Sequence, residues 1–272
     1  MSAVESLDRD HGGGGGGNGS GGDKLPDIGR LTLFELLASL RAGLHDFRRA
    51  PAFGLFFSAV YVLGGFAMIW LGAGHVTWTL AVSLGFPLAA PFAAVGLYEV
   101  SRRLEADLPL VWREILGVVW AERGRQIPWI GAIIVIYFLF WTFLAHMIFA
   151  LFMGFSTITN ISESYDMFWT VEGLRMIAVE LAVGGVLAFL LFSLTVVSLP
   201  LLLEKEVDFV SAMILSVRTV AQNLAVMLVW AALIAGLTFL AMIPYFLGLL
   251  VVLPILGHAS WHLYRRALYD EV

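Results

Sequence analysis

The sequence predicts an all-α polytopic membrane protein with six transmembrane helices and about three interfacial amphipathic helices. Three observations predict it. The 272 residues are 60% hydrophobic and only 14% charged, where soluble domains carry roughly 25% charged residues. The mean hydropathy is +0.87. Six apolar runs stand in series, and about twenty residues at 1.5 Å each cover the roughly 30 Å hydrocarbon core. The runs do not alternate as the strands of a membrane barrel would. A helix also satisfies its own backbone groups where lipid cannot.

The elements follow in order. Residues 1–30 include HGGGGGGNGSGGD (His11–Asp23). Gly and Ser bury little apolar surface and lose much entropy on ordering, so a disordered cytoplasmic tail is expected. Its glycines match a phosphate-cradle pattern trivially, without the flanking strand and helix that chemistry requires. These residues are polar, so no cleavable signal peptide is expected and the first span is the insertion signal. Residues 31–268 are expected to form one six-span domain, and 269–272 a short tail. The spans are Ala52–Leu71, Val76–Tyr98, Pro128–Phe152, Leu174–Leu201, Asn223–Ile243 and Tyr245–Tyr264. The third and fourth exceed the required length, which predicts tilt or an interfacial extension.

Three amphipathic segments stand between the spans. In Leu33–Phe47 the apolar stripe is Leu33, Leu36, Leu40, Leu44 and Phe47, a helical period. Leu108–Trp120 repeats the style with Val111, Trp112, Ile115, Leu116 and Val119. Val207–Gln222 does so with Val210, Met213, Ile214, Val217 and Val220, and Asp208 is the expected N-cap. Each is expected to lie flat at the interface. Amphipathic helix, span, span thus occurs three times, which suggests a degenerate threefold helix-hairpin repeat. Pro91 and Pro254 are each followed eleven residues on by an arginine pair, Arg102–Arg103 and Arg265–Arg266. Pro200 in the middle unit is followed at that distance by Ser211.

Basic residues set the orientation. With the N-terminus in the cytoplasm, Arg41, Arg48, Arg49, Arg102, Arg103, Arg113, Arg123, Arg125, Lys205, Arg218, Arg265 and Arg266 fall inside. Arg175 falls outside, in a loop with Glu163, Asp166 and Glu172. The expected location is the bacterial cytoplasmic (inner) membrane, multi-pass, with both termini cytoplasmic. The net charge of −5 offers no basic stripe for nucleic acid. The absence of cysteine excludes disulfides, thiolate nucleophiles, iron–sulfur clusters and cysteine-ligated zinc.

Four stretches carry a resemblance: GLHDFRRAPAFGLFFSAVY (Gly43–Tyr61), PLAAPFAAVGLYEVSRRLE (Pro87–Glu105), LPLLLEKEVDFVSAMILSVRTVAQN (Leu199–Asn223) and PILGHASWHLYRRAL (Pro254–Leu268). Over roughly residues 31–268 the chain resembles the bacterial integral membrane family catalogued as domain of unknown function 2189, with GHASWHLYRR the most specific motif. The resemblance implies a multi-span inner-membrane protein without an established activity. Some relatives carry a cytochrome c oxidase subunit label. The resemblance supplies no catalytic residues.

The polar positions therefore rest on physics. An ionisable side chain in a span costs about 2.5–3.5 kcal/mol near the centre and is a functional candidate by default. His146 in span three and Glu180 in span four fall at similar depth, as a proton-holding pair or a structural hydrogen bond. Near the inner face His258 and His262 are four apart on one helical face, with Glu99 at similar depth. That pair would need a third ligand to hold a metal, and the competing reading is interfacial anchoring with Trp261. Arg48, Arg49, Arg102, Arg103, Arg265 and Arg266 are candidate lipid-headgroup contacts. Pro87, Pro91, Pro200 and Pro254 predict kinks.

No serine-nucleophile elbow, HExxH or Walker loop is present, so no catalytic residue is assigned. The leading expectation is a non-enzymatic membrane protein, structural or accessory to a membrane complex such as a respiratory one. Its expected partners are membrane lipid and other membrane-protein subunits, with no nucleic acid and no cofactor or metal assigned. The alternatives are a small-molecule or lipid transporter using kinked spans two and six, and a haem- or copper-associated oxidase-like subunit.

Overall fold

A computed structural model describes residues 26–72, 76–154 and 168–269. Among the described residues the chain forms ten helices: α1 (Leu33–Arg49), α2 (Pro51–Gly72), α3 (Val76–Glu105), α4 (Trp112–Glu122), α5 (Ile127–Met153), α6 (Val171–Thr195), α7 (Ser198–Glu204), α8 (Phe209–Gln222), α9 (Leu224–Met242) and α10 (Leu249–Leu268). The fold is all-α. Among the described residues three helical stretches are long and apolar enough to cross a membrane: Ile127–Met153, Val171–Glu204 and Leu224–Met242. A fourth is reached if α1 and the start of α2, bent by 103°, count as one broken span. The expected six is thus met in part. The C-terminal half of α10 carries His258, His262, Arg265 and Arg266, which lowers its mean hydropathy. The Gly-rich run of the N-terminal tail and residues 270–272 lie outside the described residues, as do the side chain of Pro87 and the loop acids Glu163 and Asp166.

Local chemistry sets the boundaries. Thr32 and Glu35 form a reciprocal capping box at the start of α1, with Thr32 N donating to Glu35 Oε2 at 2.5 Å. The helix ends before Pro51, which disfavours helical backbone in the preceding residue and opens α2 from its first position. Pro128 occupies the first turn of α5, where its missing N–H costs nothing. Gly154, at φ 81°, ends that helix. The expected cap at Asp208 is present: its side chain accepts from Ser211 N at 2.9 Å.

The long fourth apolar run is broken at Val196–Val197 into α6 and α7, three residues ahead of Pro200. Ser216 of α8 enters this break. Its hydroxyl donates to Ser193 O at 2.7 Å and accepts from Val197 N at 3.1 Å. A side chain therefore stands in for one rung of the helical ladder, an identifiable cause of a kink.

The three short amphipathic helices share a pattern. On α1 the buried residues are Leu36, Ser39, Gly43 and Asp46, while Leu33, Phe34 and Leu37 are exposed. On α8 Ala212, Ser216 and Thr219 are buried among larger residues, while Val210, Ile214 and Val217 are exposed. On α4 Ile115 and Glu122 are buried, and Trp112, Leu116 and Trp120 exposed. Small and polar side chains turn toward neighbouring helices, and much of each apolar stripe turns outward, the arrangement an interfacial helix needs.

The main core sits at one end of the bundle. Val95 and Tyr98 of α3, Leu201 and Leu202 of α7, Met227 and Trp230 of α9, and Trp261, Leu263 and Tyr264 of α10 are buried there. The segment before α1 is tied to the same end. Asn223 accepts from Leu31 N at 2.7 Å and donates to Gly29 O at 3.0 Å, while Gly29 N donates to Ala267 O at 2.8 Å. Helix α1 crosses α10 at Gly43, where an added Cβ would fall 2.5 Å from Ile255 O.

Candidate functional site

The most concentrated polar chemistry lies where α1, α3 and α10 meet. Asp46 of α1 is 5% exposed, and Ser101 of α3 and His258 of α10 are fully buried. Asp46 Oδ2 accepts from Ser101 Oγ at 2.8 Å and from His262 Nε2 at 2.8 Å. Ser101 Oγ lies 2.8 Å from His258 Nδ1. Because the Ser101 proton goes to the carboxylate, the pattern assigns the His258 proton to Nδ1. His258 Nε2 is then a buried acceptor without a hydrogen-bond partner.

Serine, histidine and aspartate together suggest a nucleophile, but this geometry differs from a triad. A triad needs the serine proton directed at histidine and the carboxylate behind that histidine. Here Ser101 donates to Asp46 and is 0% exposed. The arrangement ties three helices together. Asp46 was not among the residues singled out for this site. Its signal was its place on one α1 face with Leu36, Ser39 and Gly43.

An ion network adjoins the tether. Glu99 is fully buried and accepts from Arg102 at 2.7 and 2.9 Å and from Arg103 at 2.7 Å. Arg103 also donates to Glu114 of α4 at 2.6 Å and to Pro109 O at 3.1 Å. Arg265 bridges Glu105 of α3 at 3.1 Å and Glu204 of α7 at 2.7 Å. Trp261 Nε1 donates to Glu105 at 2.8 Å, and the Tyr264 hydroxyl to Glu204 at 2.5 Å. On α4 Glu122 pairs with Arg125 at 2.5 Å. Burial holds the Glu122 carboxyl above its ordinary value despite that arginine.

These contacts place the residues named from sequence. Glu99 does not meet His258 or His262: arginines three and four residues along α3 hold it, and Asp46 takes His262. Arg102, Arg103 and Arg265 direct their guanidiniums to internal carboxylates. Arg266 is half-buried at the end of α10. Arg48 and Arg49 are exposed in the last turn of α1, with no carboxylate partner among the described residues.

His146 and Glu180 lie on the adjoining helices α5 and α6, with no hydrogen bond between them. His146 Nδ1 is 2.7 Å from Thr142 O of its own helix. Glu180 lines an apolar groove of about 450 Å³ with Tyr137, Trp141, Leu181, Gly184 and Gly185 among others. Among the described residues no three His, Asp or Glu side chains come together as a metal site.

No curated protein and no solved structure matches the chain. A family match exists and runs from near the start of α3 to the end of α7, leaving GHASWHLYRR outside it. Residues 79–204 match the model of the family described as Predicted integral membrane protein (DUF2189), so this segment is similar to that family.

Proposed function

We propose that this integral membrane protein is a non-enzymatic accessory or structural component of a membrane complex, docking through its α5–α6 hairpin. The single observation that carries this reading is the state of α5. Only 6% of its apolar window is buried within the chain, against 50% for the Val171–Glu204 stretch. The groove beside it is open over Gly185, where an added Cβ would meet nothing within 4 Å. Small residues let a neighbouring helix approach closely. The polar residues of the bundle, by contrast, are largely engaged with one another. In this reading six spans form three hairpins in an inner membrane, with both termini cytoplasmic.

The transporter alternative needs a polar cavity between α3 and α10. Where Gly257 of α10 faces α3, Leu97 packs 2.6 Å from the position a Cβ would take, leaving no polar cavity at that level. The haem alternative needs a free imidazole nitrogen on each of two facing histidines. His258 Nε2 is free, but its neighbour His262 lies on the same helix and gives its Nε2 to Asp46.

The test is purification of the full chain in mild detergent, beside a Gly185→Trp variant that fills the groove. The reading expects a stoichiometric membrane-protein partner with the native chain and its loss with the variant. Recovery of the native chain as a partner-free monomer sinks it.

A further inference from the structure

The exposed side of α1 carries one charge sign. Arg41, His45, Arg48 and Arg49 are all exposed. The two acids of the helix are engaged elsewhere, Glu35 in the capping box and Asp46 in the tether. Arg41 has no carboxylate partner among the described residues. It borders an apolar groove of about 350 Å³ between α1, α9 and α10, lined by Leu40, Leu44, Leu237, Val252, Ile255 and Leu256. Arg41 is the only charged side chain in that lining. The volume falls within the roughly 300–1,000 Å³ of small-ligand sites.

We infer that this groove is a binding site for one anionic phospholipid, with an acyl chain lying along Leu44, Leu237 and Ile255 and the phosphate on the Arg41 guanidinium. The argument is complementarity of two kinds at one place. An apolar trough takes a hydrocarbon chain, and an unpaired guanidinium at its edge takes a phosphate through paired N–H donors. A partner helix would have to bring a carboxylate to the same spot and would meet the remaining cations of α1. A phospholipid supplies both chemistries in one molecule and carries its charge to an anionic leaflet, where each basic residue near the surface contributes about 1 kcal/mol. The neighbouring Arg48 and Arg49 add long-range attraction outside the groove.

The site rests on the membrane placement in the proposed function and is independent of the accessory role. The test is native mass spectrometry of the full chain in mild detergent, titrated with phosphatidylglycerol or phosphatidylcholine. The native chain is expected to bind the first phosphatidylglycerol more tightly than phosphatidylcholine. Arg41→Gln, an exposed substitution, should weaken that first binding roughly fivefold and remove the preference, the effect of one basic residue at an anionic headgroup. Leu44→Trp, which fills the groove, should remove the first site for both lipids. Arg48→Gln with Arg49→Gln should leave the preference in place. Equal binding of the two lipids by the native chain, or an unchanged preference in Arg41→Gln, overturns the site. So does a preference lost only with Arg48 and Arg49, because the attraction is then diffuse. A chain that stays soluble without detergent defeats the membrane reading itself, and that outcome is separate from these.

Discussion

His262 Nε2 donates to Asp46 Oδ2 across 2.8 Å, joining helices whose contacting residues are 216 positions apart. The same carboxylate oxygen takes the Ser101 hydroxyl, so one buried charge coordinates α1, α3 and α10. Removing a partner of a buried charge costs more than the pair itself contributes, because the other group stays desolvated. Asp46→Ala should therefore destabilise the fold by about 2–3 kcal/mol, a value typical of hydrogen bonds to charged groups. The measurement is thermal unfolding in detergent of Asp46→Ala, His262→Ala and the double variant. If Asp46 and His262 act as one unit, the double variant loses clearly less than the sum of the singles. Additive losses would mean that the bond holds nothing together.

Ser216 makes a second, independent claim. Its hydroxyl serves both the Ser193 carbonyl and the Val197 N–H at the break between α6 and α7. Ser216→Ala leaves both groups buried without this partner, at a cost of about 1–3 kcal/mol. Hydrogen exchange should quicken at Val197 more than at Ser198 or Leu199. Unchanged protection at Val197 would show that water or a straightened helix replaces the hydroxyl at no loss.

The helices were legible because an apolar run of about twenty residues and a 3.6-residue period are local signals. Each long run named from sequence falls largely on helix, although the fourth is split between α6 and α7 and the sixth becomes helical only from Leu249. The Asp208 cap follows from residue type alone. The partners of the polar residues were not legible, because rotation about a helix axis decides them. Glu99 shares a depth with the α10 histidines, yet arginines at i+3 and i+4 of its own helix reach it first. In sequence Asp46 stands beside His45, Arg48 and Arg49, just ahead of Pro51. Its face, shared with Ser39 and Gly43, is what turns it inward. The kink at Pro200 was visible in the sequence, whereas Ser216, which fills it, stands sixteen residues further on in another helix.

Glu122 provides a pH test outside the spans. It is 2% exposed, Oε2 has no partner, and burial raises its pKa against the pull of Arg125. The folded state thus binds this proton more tightly than the unfolded chain. The stability it contributes is fully present below about pH 4.5 and is lost as pH rises through the raised value. Glu122→Gln keeps a carbonyl acceptor for Arg125 and removes the titration. Melting curves collected from acid to neutral pH should fall less steeply for the variant than for the native chain over that window. Parallel curves would show that Glu122 ionises at its ordinary value.

Orientation offers the most direct test of the whole arrangement. The raw excess of arginine on one side overstates the bias, since Arg102, Arg103, Arg125 and Arg265 are matched by Glu99, Glu114, Glu122, Glu105 and Glu204. Arg41, Arg48, Arg49, Arg113, Arg123 and Arg218 remain without a carboxylate partner among the described residues, and by chain order all sit at the end of the bundle that holds the main core. Basic residues near span ends favour the cytoplasmic side. The chain has no cysteine, so single cysteines report without background. With a membrane-impermeant maleimide on intact cells, Trp169→Cys should label, while Ala106→Cys and Glu206→Cys should label only after the membrane is opened. All three replace exposed residues between helices. Labelling of position 106 or 206 from outside would invert the protein and move the basic face of α1 to the wrong leaflet.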